Sequence, residues 1–442
     1  MAALITVDHW QSYLSGEVVN SIGIENERTV EFPAITICNQ IVMRRSTGCR
    51  ITDMMQFFQH FSLSSRLVPW TDALARKNVK YCPCKDDKSG DSYLFAAKST
   101  LHRSLLEMFS KYGPPWQDTY LLCQMGGVTT NCSKIFFNHI TDIGLCSTFN
   151  MAFFKNATEI SPPTTSKAPN FGPSSGLKLV LKASRSEYCG VNRPYDGMGF
   201  FVSIHGQSDT LPLYVLSNFG KRLTPGFASN IALKATTFIR STAHLNRCTE
   251  RMIMAKGERI RLNKSICFAF CLVQTIWDTC NCMGHVVDNL EDIFSIENGF
   301  SHINHSKPCS NSREVACEMC VIRRFKQDDV WVKQCPPCLP SCQETVYEAM
   351  MTAEKLNTVP SAGLRGLAEK SDMIVSSFYL QSSQVTRIHE DQAFTLTDAI
   401  IYTANSLGLF FGISFTTIFE ILFEILLYLH SVIVKRFLNY GS

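Results

Sequence analysis

The longest apolar run of the chain lies near its C-terminus. From Ala399 to Val434 the only formal charges are Glu420 and Glu424, and Lys435 and Arg436 follow at once. A spanning helix needs about 20 apolar residues. Residues 398–436 therefore predict a membrane segment with a basic cytoplasmic flank, leaving 437–442 as a cytoplasmic end. An ionisable group inside such a span is costly against lipid and by default faces a water-filled path or protein. Glu420 and Glu424 are four apart, hence on one helix face. Gly408 and Gly412 share that spacing, which alone suits helix packing through small residues. Ser414 and Glu420 carry the polar series past the glycines, the pattern of a pore-lining helix. Glu424 has a second reading, as a partner of Lys or Arg or a lipid-interface position.

The other end is apolar only briefly. "MAALITVDHW" turns polar at Asp8, without the basic start and long apolar core of a signal peptide. Residues 1–7 predict the last turns of a first membrane helix whose earlier turns lie outside this chain, with Trp10 and Tyr13 at the outer interface. Residues 8–397 then form the body outside the membrane.

Within that body the period alternates. "TVEFPAITICNQ" (29–40) is rich in β-branched residues and predicts a strand. Residues 51–67 and 100–113 carry helical stripes, the first through Met54, Phe57, Phe58 and Phe61. The Pro/Ser/Thr-rich stretch 161–176 predicts an exposed connector. Strands follow at 177–184, 199–207 and 230–242, a helical cysteine-rich lobe at 265–355, and one more strand at 372–391. Strands from both ends of the body thus flank helical lobes, and the fold class is α+β.

Composition fixes the compartment. Nineteen cysteines lie between Cys38 and Cys342, none in the membrane segment, which points to an oxidising environment. Cys82-Pro-Cys84, Cys280-Asn-Cys282 and Cys317-Glu-Met-Cys320 lack zinc-ribbon spacing or a matching second half, so no metal or cofactor is expected. Four sequons, at Asn131, Asn156, Asn263 and Asn304, fit glycosylation on the same side. The net charge of +4 implies no nucleic-acid partner. An enzyme is not expected, since the chain has no nucleophile elbow, metal set or phosphate loop. Cys267 and Cys271 are four apart, and Cys335, Cys338 and Cys342 are three and four apart. Both sets can line helical faces, so a ladder of bridges riveting two antiparallel helices is expected, each bridge worth ~4 kcal/mol.

"FPAITICN", "CNCMGH", "CPPCLPSC" and "GLFFGIS…E" together resemble the degenerin/epithelial sodium channel family, over residues 30–436. The resemblance implies a homotrimer of subunits, each with two membrane helices and a hand-like body of palm, β-ball, knuckle, finger and thumb. It places the finger at about 50–145, the palm and β-ball at 30–45, 177–245 and 372–395, and the thumb at 250–355. It implies the bridges Cys38–Cys146, Cys123–Cys132, Cys248–Cys342, Cys267–Cys338, Cys271–Cys335 and Cys282–Cys309, with Cys280 joined to Cys317 or Cys320. Cys49, Cys82, Cys84, Cys189 and one of Cys317 and Cys320 stay unassigned. Gly412, Ile413 and Ser414 match the family's Gly-x-Ser selectivity filter, where three copies present carbonyl rings to a permeant Na+. Gly408, Glu420 and Glu424 would line the pore, and amiloride-type blockers would enter it.

The resemblance leaves the stimulus open. Proton-gated relatives carry clustered carboxylates between finger and thumb and a His pair outside the first span. Here the matching stretches read "CVIRRFKQDD", "RSEYCGVNRPYDG" and "SGEVVN". Like-charged carboxylate pairs are what raise pKa values toward neutrality, so the sequence looks more like the branch opened by FMRFamide-like (RFamide) neuropeptides. A cationic, aromatic peptide needs carboxylates beside rings, which Asp53, Phe57, Phe58, Phe61, Trp70 and Asp72 offer. Those aromatics also read as plain finger core. Proton gating and constitutive opening are the alternatives, and a membrane-anchored adhesion or receptor body is the alternative from another class. In each case the location is the plasma membrane, with the body outside.

Overall fold

The computed structural model of the chain describes residues 2–41, 44–46, 113–141, 144–151, 167–168, 170–188, 198–207, 220–241, 248–255, 258–282, 314, 317, 321, 335, 338–358, 364, 366–412 and 415–438. The chain divides into two compact units. One holds Met1–Ser21, Ser241–Asn246 and His389–Ser442, the other Ile22–Arg240 and Arg247–Ile388.

The larger unit is built on an eight-stranded sheet. Phe227–Ile239 runs parallel to Met373–Leu380, which pairs antiparallel with Leu177–Lys182, and Tyr120–Met125 and Val128–Thr130 follow toward one edge. Val18–Asn26 and Gln384–Gln392 lie toward the other edge, while Gln343–Lys355 pairs antiparallel with Phe227–Ile239 over its whole length. Leu177–Lys182 and Met373–Leu380 bury both faces, which is why they read as near-continuous apolar runs. Leu177, Leu179 and Leu181 pack with Ile231, Leu233, Ile374 and Phe378 on one face. Val180, Met373 and Val375 pack with Leu356 and Leu364 on the other. Gly176 enters this sheet so closely that a Cβ would sit 1.8 Å from the Phe378 carbonyl oxygen, so glycine is required there.

A second, five-stranded sheet is antiparallel throughout, in the order Lys221–Leu223, Phe200–His205, Ala34–Asn39, Gly144–Phe149 and Phe136–Thr141. Cys38 and Cys146 are direct cross-strand partners in it and form a disulfide. A buried polar chain crosses the same strands. Thr36 Oγ1 lies 2.6 Å from Thr148 Oγ1 and 2.9 Å from His205 Nε2. The His205 Nδ1 lies 2.9 Å from the Gly206 carbonyl oxygen.

The helix Lys264–Cys280 buries Ile266, Ala269, Val273 and Ile276 at helical spacing. Asn263 caps it, its Oδ1 accepting from Ile266 N–H at 2.9 Å, and Asn281 ends it in the left-handed region at φ 55°. Six disulfides form among the described residues, three of them from this helix: Cys267–Cys338, Cys271–Cys335 and Cys280–Cys317. The others are Cys38–Cys146, Cys123–Cys132 and Cys248–Cys342. Cys282 is disulfide-bonded as well.

Several expectations differ from the observed fold. The bridges of Cys267 and Cys271 form, but among the described residues their partners are not helical: Cys335 lies in a bend and Cys338–Pro340 has no regular structure. The end of the supposed helical lobe, Gln343–Lys355, is a thirteen-residue strand. The expected strand 372–391 is two strands, Met373–Leu380 and Gln384–Gln392, with Ser382 Oγ accepting from Gln384 N–H at the break. Tyr120–Met125, Val128–Thr130 and Phe136–Thr141, within the span that the resemblance gives to the finger, are strands of the two sheets. The C-terminal end of the connector, at Gly176, is buried rather than exposed. The helices expected at 51–67 and 100–112 lie outside the described residues.

Candidate ion pathway

The smaller unit starts with the helix Ala2–Ser15, which continues two turns beyond Val7 because nothing in Asp8–Ser15 breaks it. Gly16 ends it at φ 61°, donating its N–H to the Tyr13 carbonyl. The helix Leu396–Phe411 begins with a reciprocal cap: Thr395 Oγ1 accepts from Asp398 N–H at 3.2 Å, and Asp398 Oδ2 accepts from Thr395 N–H at 2.9 Å. These two helices pack together. The side chains of Ala399 and Ser406 are buried one face apart from the exposed Ile400, Ile401 and Leu409. Trp10 Nε1–H donates to Thr403 Oγ1 at 3.0 Å. His9 stacks on Tyr402 at 4.9 Å and on Phe394 at 5.8 Å between ring centroids.

The break in the apolar segment falls at Gly412. It caps Leu396–Phe411 in the left-handed region, φ 64° and ψ 17°, and donates its N–H to the Gly408 carbonyl at 3.0 Å. Open space surrounds its missing Cβ, so the glycine serves the backbone turn and not a close approach. Ile413 and Ser414 lie outside the described residues. Helix resumes at Phe415 and runs to Leu438. Its window Thr416–Ile433 is apolar and long enough to cross a membrane, and none of it is buried within the chain. Glu420 and Glu424 are exposed, one turn apart on one face of it. Non-helical backbone at membrane depth is tolerated only beside protein or a water-filled path. An apolar segment broken at a left-handed glycine and followed by two stacked carboxylates is therefore suited to an aqueous pathway.

Sequence reasoning missed other groups that shape the body. The Arg387 guanidinium reaches Glu25 Oε2 at 2.9 Å and Glu27 Oε1 at 2.6 Å, tying Val18–Asn26 to Gln384–Gln392. The hydrogen bond from Arg387 to Glu27 holds the guanidinium pKa above its usual value. Glu187 accepts from the Ser46 N–H at 2.9 Å and Oγ–H at 2.8 Å, which holds its carboxyl below the usual range. Burial pushes His205 down to about 4, opposed by its Gly206 hydrogen bond. Arg185 pairs with Asp372. Two acids two residues apart at the end of a strand, Glu25 within Val18–Asn26 and Glu27 just after it, were the available signal for the first of these. Asp53, Phe57, Phe58, Phe61, Trp70 and Asp72 lie outside the described residues, as do Cys309 and Cys320. Among the described residues no cluster of His, Cys, Asp and Glu is arranged to hold a metal.

These features are a large disulfide-bonded body and an interrupted apolar segment with one helix long enough to cross a membrane. The sequence pattern of the amiloride-sensitive sodium channel family (ASC) matches residues 1–423, and the chain belongs to that family. It is a family of sodium and cation channels of the degenerin/epithelial type in the plasma membrane, not of enzymes. Pickpocket protein 28 of Drosophila melanogaster is 20% identical over 450 residues, covering 89% of this chain and 66% of that protein. Acid-sensing ion channel 1A of Danio rerio is 23% identical over 439 residues, covering 96% and 80%. Degenerin deg-1 of Caenorhabditis elegans is 22% identical over 321 residues, covering 68% and 37%. The chain thus spans just under two thirds of the pickpocket relative's length.

Proposed function

We propose that the chain is a subunit of a homotrimeric, sodium-selective channel opened by an extracellular RFamide-type neuropeptide. The observation that carries the pore reading is the break at Gly412 within an apolar segment, with Glu420 and Glu424 on one face beyond it. In this reading Gly412, Ile413 and Ser414 form the filter, and Gly408 lines the pore just outside it. Three copies bring carbonyl oxygens around the axis, where their number and field strength discriminate Na+ from K+. Glu420 and Glu424 form acidic rings that concentrate cations on the cytoplasmic side. Amiloride-type blockers plug the same path.

The peptide reading is supported by the stretches "CVIRRFKQDD", mixed in sign, and "SGEVVN", without histidine, and two titratable groups among the described residues point the same way. A sensor for mild acid needs a carboxyl raised, or an imidazole kept, near pH 5–7. Glu187 is shifted down, and so is His205, to about 4. A cationic aromatic peptide has Asp53, Phe57, Phe58, Phe61, Trp70 and Asp72 as its candidate site. Proton gating is the second reading, favoured by the similarity to acid-sensing ion channel 1A.

Oocytes expressing the full-length protein decide between them. An amidated RF peptide at neutral pH is expected to open a sodium current, with little response to a drop to about pH 5. Acid-evoked current without a peptide response reverses the choice of stimulus, and constant current without either favours constitutive opening. Gly412→Leu is expected to change the sodium-to-potassium permeability ratio. An unchanged ratio in a conducting mutant sinks the filter assignment.

A further inference from the structure

The four sequons look alike in sequence, but the two described ones sit in opposite environments. Asn131 and Ser133 are exposed, while Cys132 between them is buried and bonded to Cys123. The Asn131 Oδ1 accepts from both the Ser133 N–H, at 3.0 Å, and the Ser133 Oγ–H, at 2.9 Å. Those bonds turn the carboxamide oxygen toward the chain and use only that atom. The sequon follows Val128–Thr130, the strand at one edge of the eight-stranded sheet. Edge strands expose unpaired backbone groups and are commonly shielded.

Asn263 has the same motif and the reverse setting. The residue is 7% exposed, and its Oδ1 is committed to the Ile266 N–H as the cap of Lys264–Cys280. Leu262 beside it donates its N–H to the Arg251 carbonyl at 2.8 Å. A sugar on Asn263 would have to be attached at a residue only 7% exposed whose oxygen caps this helix.

We infer that Asn131 is an N-glycosylation site and that Asn263 is a structural cap carrying no glycan. The co-substrate is a lipid-linked oligosaccharide. The Asn131 Nδ2 forms a bond to the first sugar's C1 as the C1–O bond to the lipid diphosphate breaks. The electron pair leaves with the diphosphate, and one amide proton passes to a base of the transferase. The glycan then stands beside the sheet edge at Val128–Thr130 and shields it. This inference rests on the membrane reading above, which puts the disulfide-bonded body on the lumenal side during synthesis.

The test uses the full-length channel from glycosylating animal cells. Surface protein is treated with peptide N-glycosidase in heavy-oxygen water, and each sequon is read by mass spectrometry as labelled Asp or unmodified Asn. Asn131 is expected to be labelled and Asn263 unlabelled. Asn131→Gln and Ser133→Ala are each expected to remove one glycan step on a gel. Asn263→Asp, which keeps a capping oxygen, is expected to leave mobility unchanged. Unlabelled Asn131 alongside labelled Asn156 or Asn304 overturns the site while sparing the sidedness. Four unlabelled sequons overturn both. A labelled Asn263, or a mobility step lost in Asn263→Asp, overturns the assignment of that residue as a bare cap. The wild-type label needs no variant, so a misfolding mutant does not blunt the result.

Discussion

Met373–Leu380 and Phe415–Leu438 are both dominated by apolar side chains, and their surroundings are opposite. The strand is buried at seven of its eight positions, with Phe378 at 0% exposure. From Ile418 to Leu429 the large apolar side chains of the helix are 46–69% exposed. The strand is solvated by its own protein, and the hydrophobic effect holds it there at roughly 25 cal/mol per Å2 of apolar area. The helix buries none of its described residues fully and gains far less of that kind from its own chain. It needs another apolar medium, a bilayer or further copies, and its two glutamates need a wet face within it. Similar composition thus specifies a core in one region and a membrane segment in the other, with length and unbroken helix telling them apart.

The sharpest way to break this comparison is to truncate one aromatic in each region. Phe378→Ala is expected to cost about 3–5 kcal/mol of the body's stability through lost burial and a cavity. Phe423→Ala, at 61% exposure, removes no internal packing of that body and should leave its unfolding midpoint almost unchanged. Thermal unfolding of the detergent-solubilised protein, followed by tryptophan fluorescence, reads both. Equal losses would mean that Phe423 is packed as a core residue is, and the contrast would fail.

Acid should act next most strongly, and only on the body. His205 titrates near 4 in the folded protein against 6.5 when unfolded. Between those values the unfolded chain binds a proton that the folded protein refuses, so stability falls as pH falls. The contribution is nil above pH 6.5 and reaches about 3 kcal/mol near pH 4, at about 1.4 kcal/mol per unit. His205→Gln should flatten that part of the pH profile of the melting temperature. An unchanged slope would assign the acid sensitivity to other groups.

What could be seen in advance follows the same division. The C-terminal apolar segment showed itself because its signals are local: an apolar run and a glycine at the break. Its start at Leu396 was nonetheless not assigned to the Thr395 cap, although the T-x-x-D spacing was there to read. The strands Leu177–Lys182 and Phe200–His205 showed themselves through β-branched and apolar runs. Gln343–Lys355 did not, since "QETVYEAMMTAEK" is made of helix formers and becomes a strand only by pairing with all of Phe227–Ile239. Val18–Asn26 was missed for the opposite reason: its last eight positions are all exposed, so burial imposes no alternation on its sequence. The helix break at Gly412 and the shared face of Glu420 and Glu424 could be read in sequence. The Arg387 pairs and the His205 chain join residues more than a hundred positions apart, and no spacing announces them.

The smallest effect tests the local side of the contrast. If a short-range cap sets the start of Leu396–Phe411, removing it should disturb only the first turn. Thr395→Ala deletes the oxygen that accepts the Asp398 N–H and leaves the Asp398 carboxylate only the backbone N–H at position 395. The expected cost is about 1 kcal/mol, the usual value for an N-cap. It should appear as faster hydrogen exchange at the amides of Leu396–Asp398. Thr395→Ser restores the oxygen and should restore protection. The exchange of Ile374 and Phe378, deep in the sheet, should not respond to either change. Protection lost across those strands as well would show that the helix start is held by tertiary structure, as the strands are, and not by its own sequence.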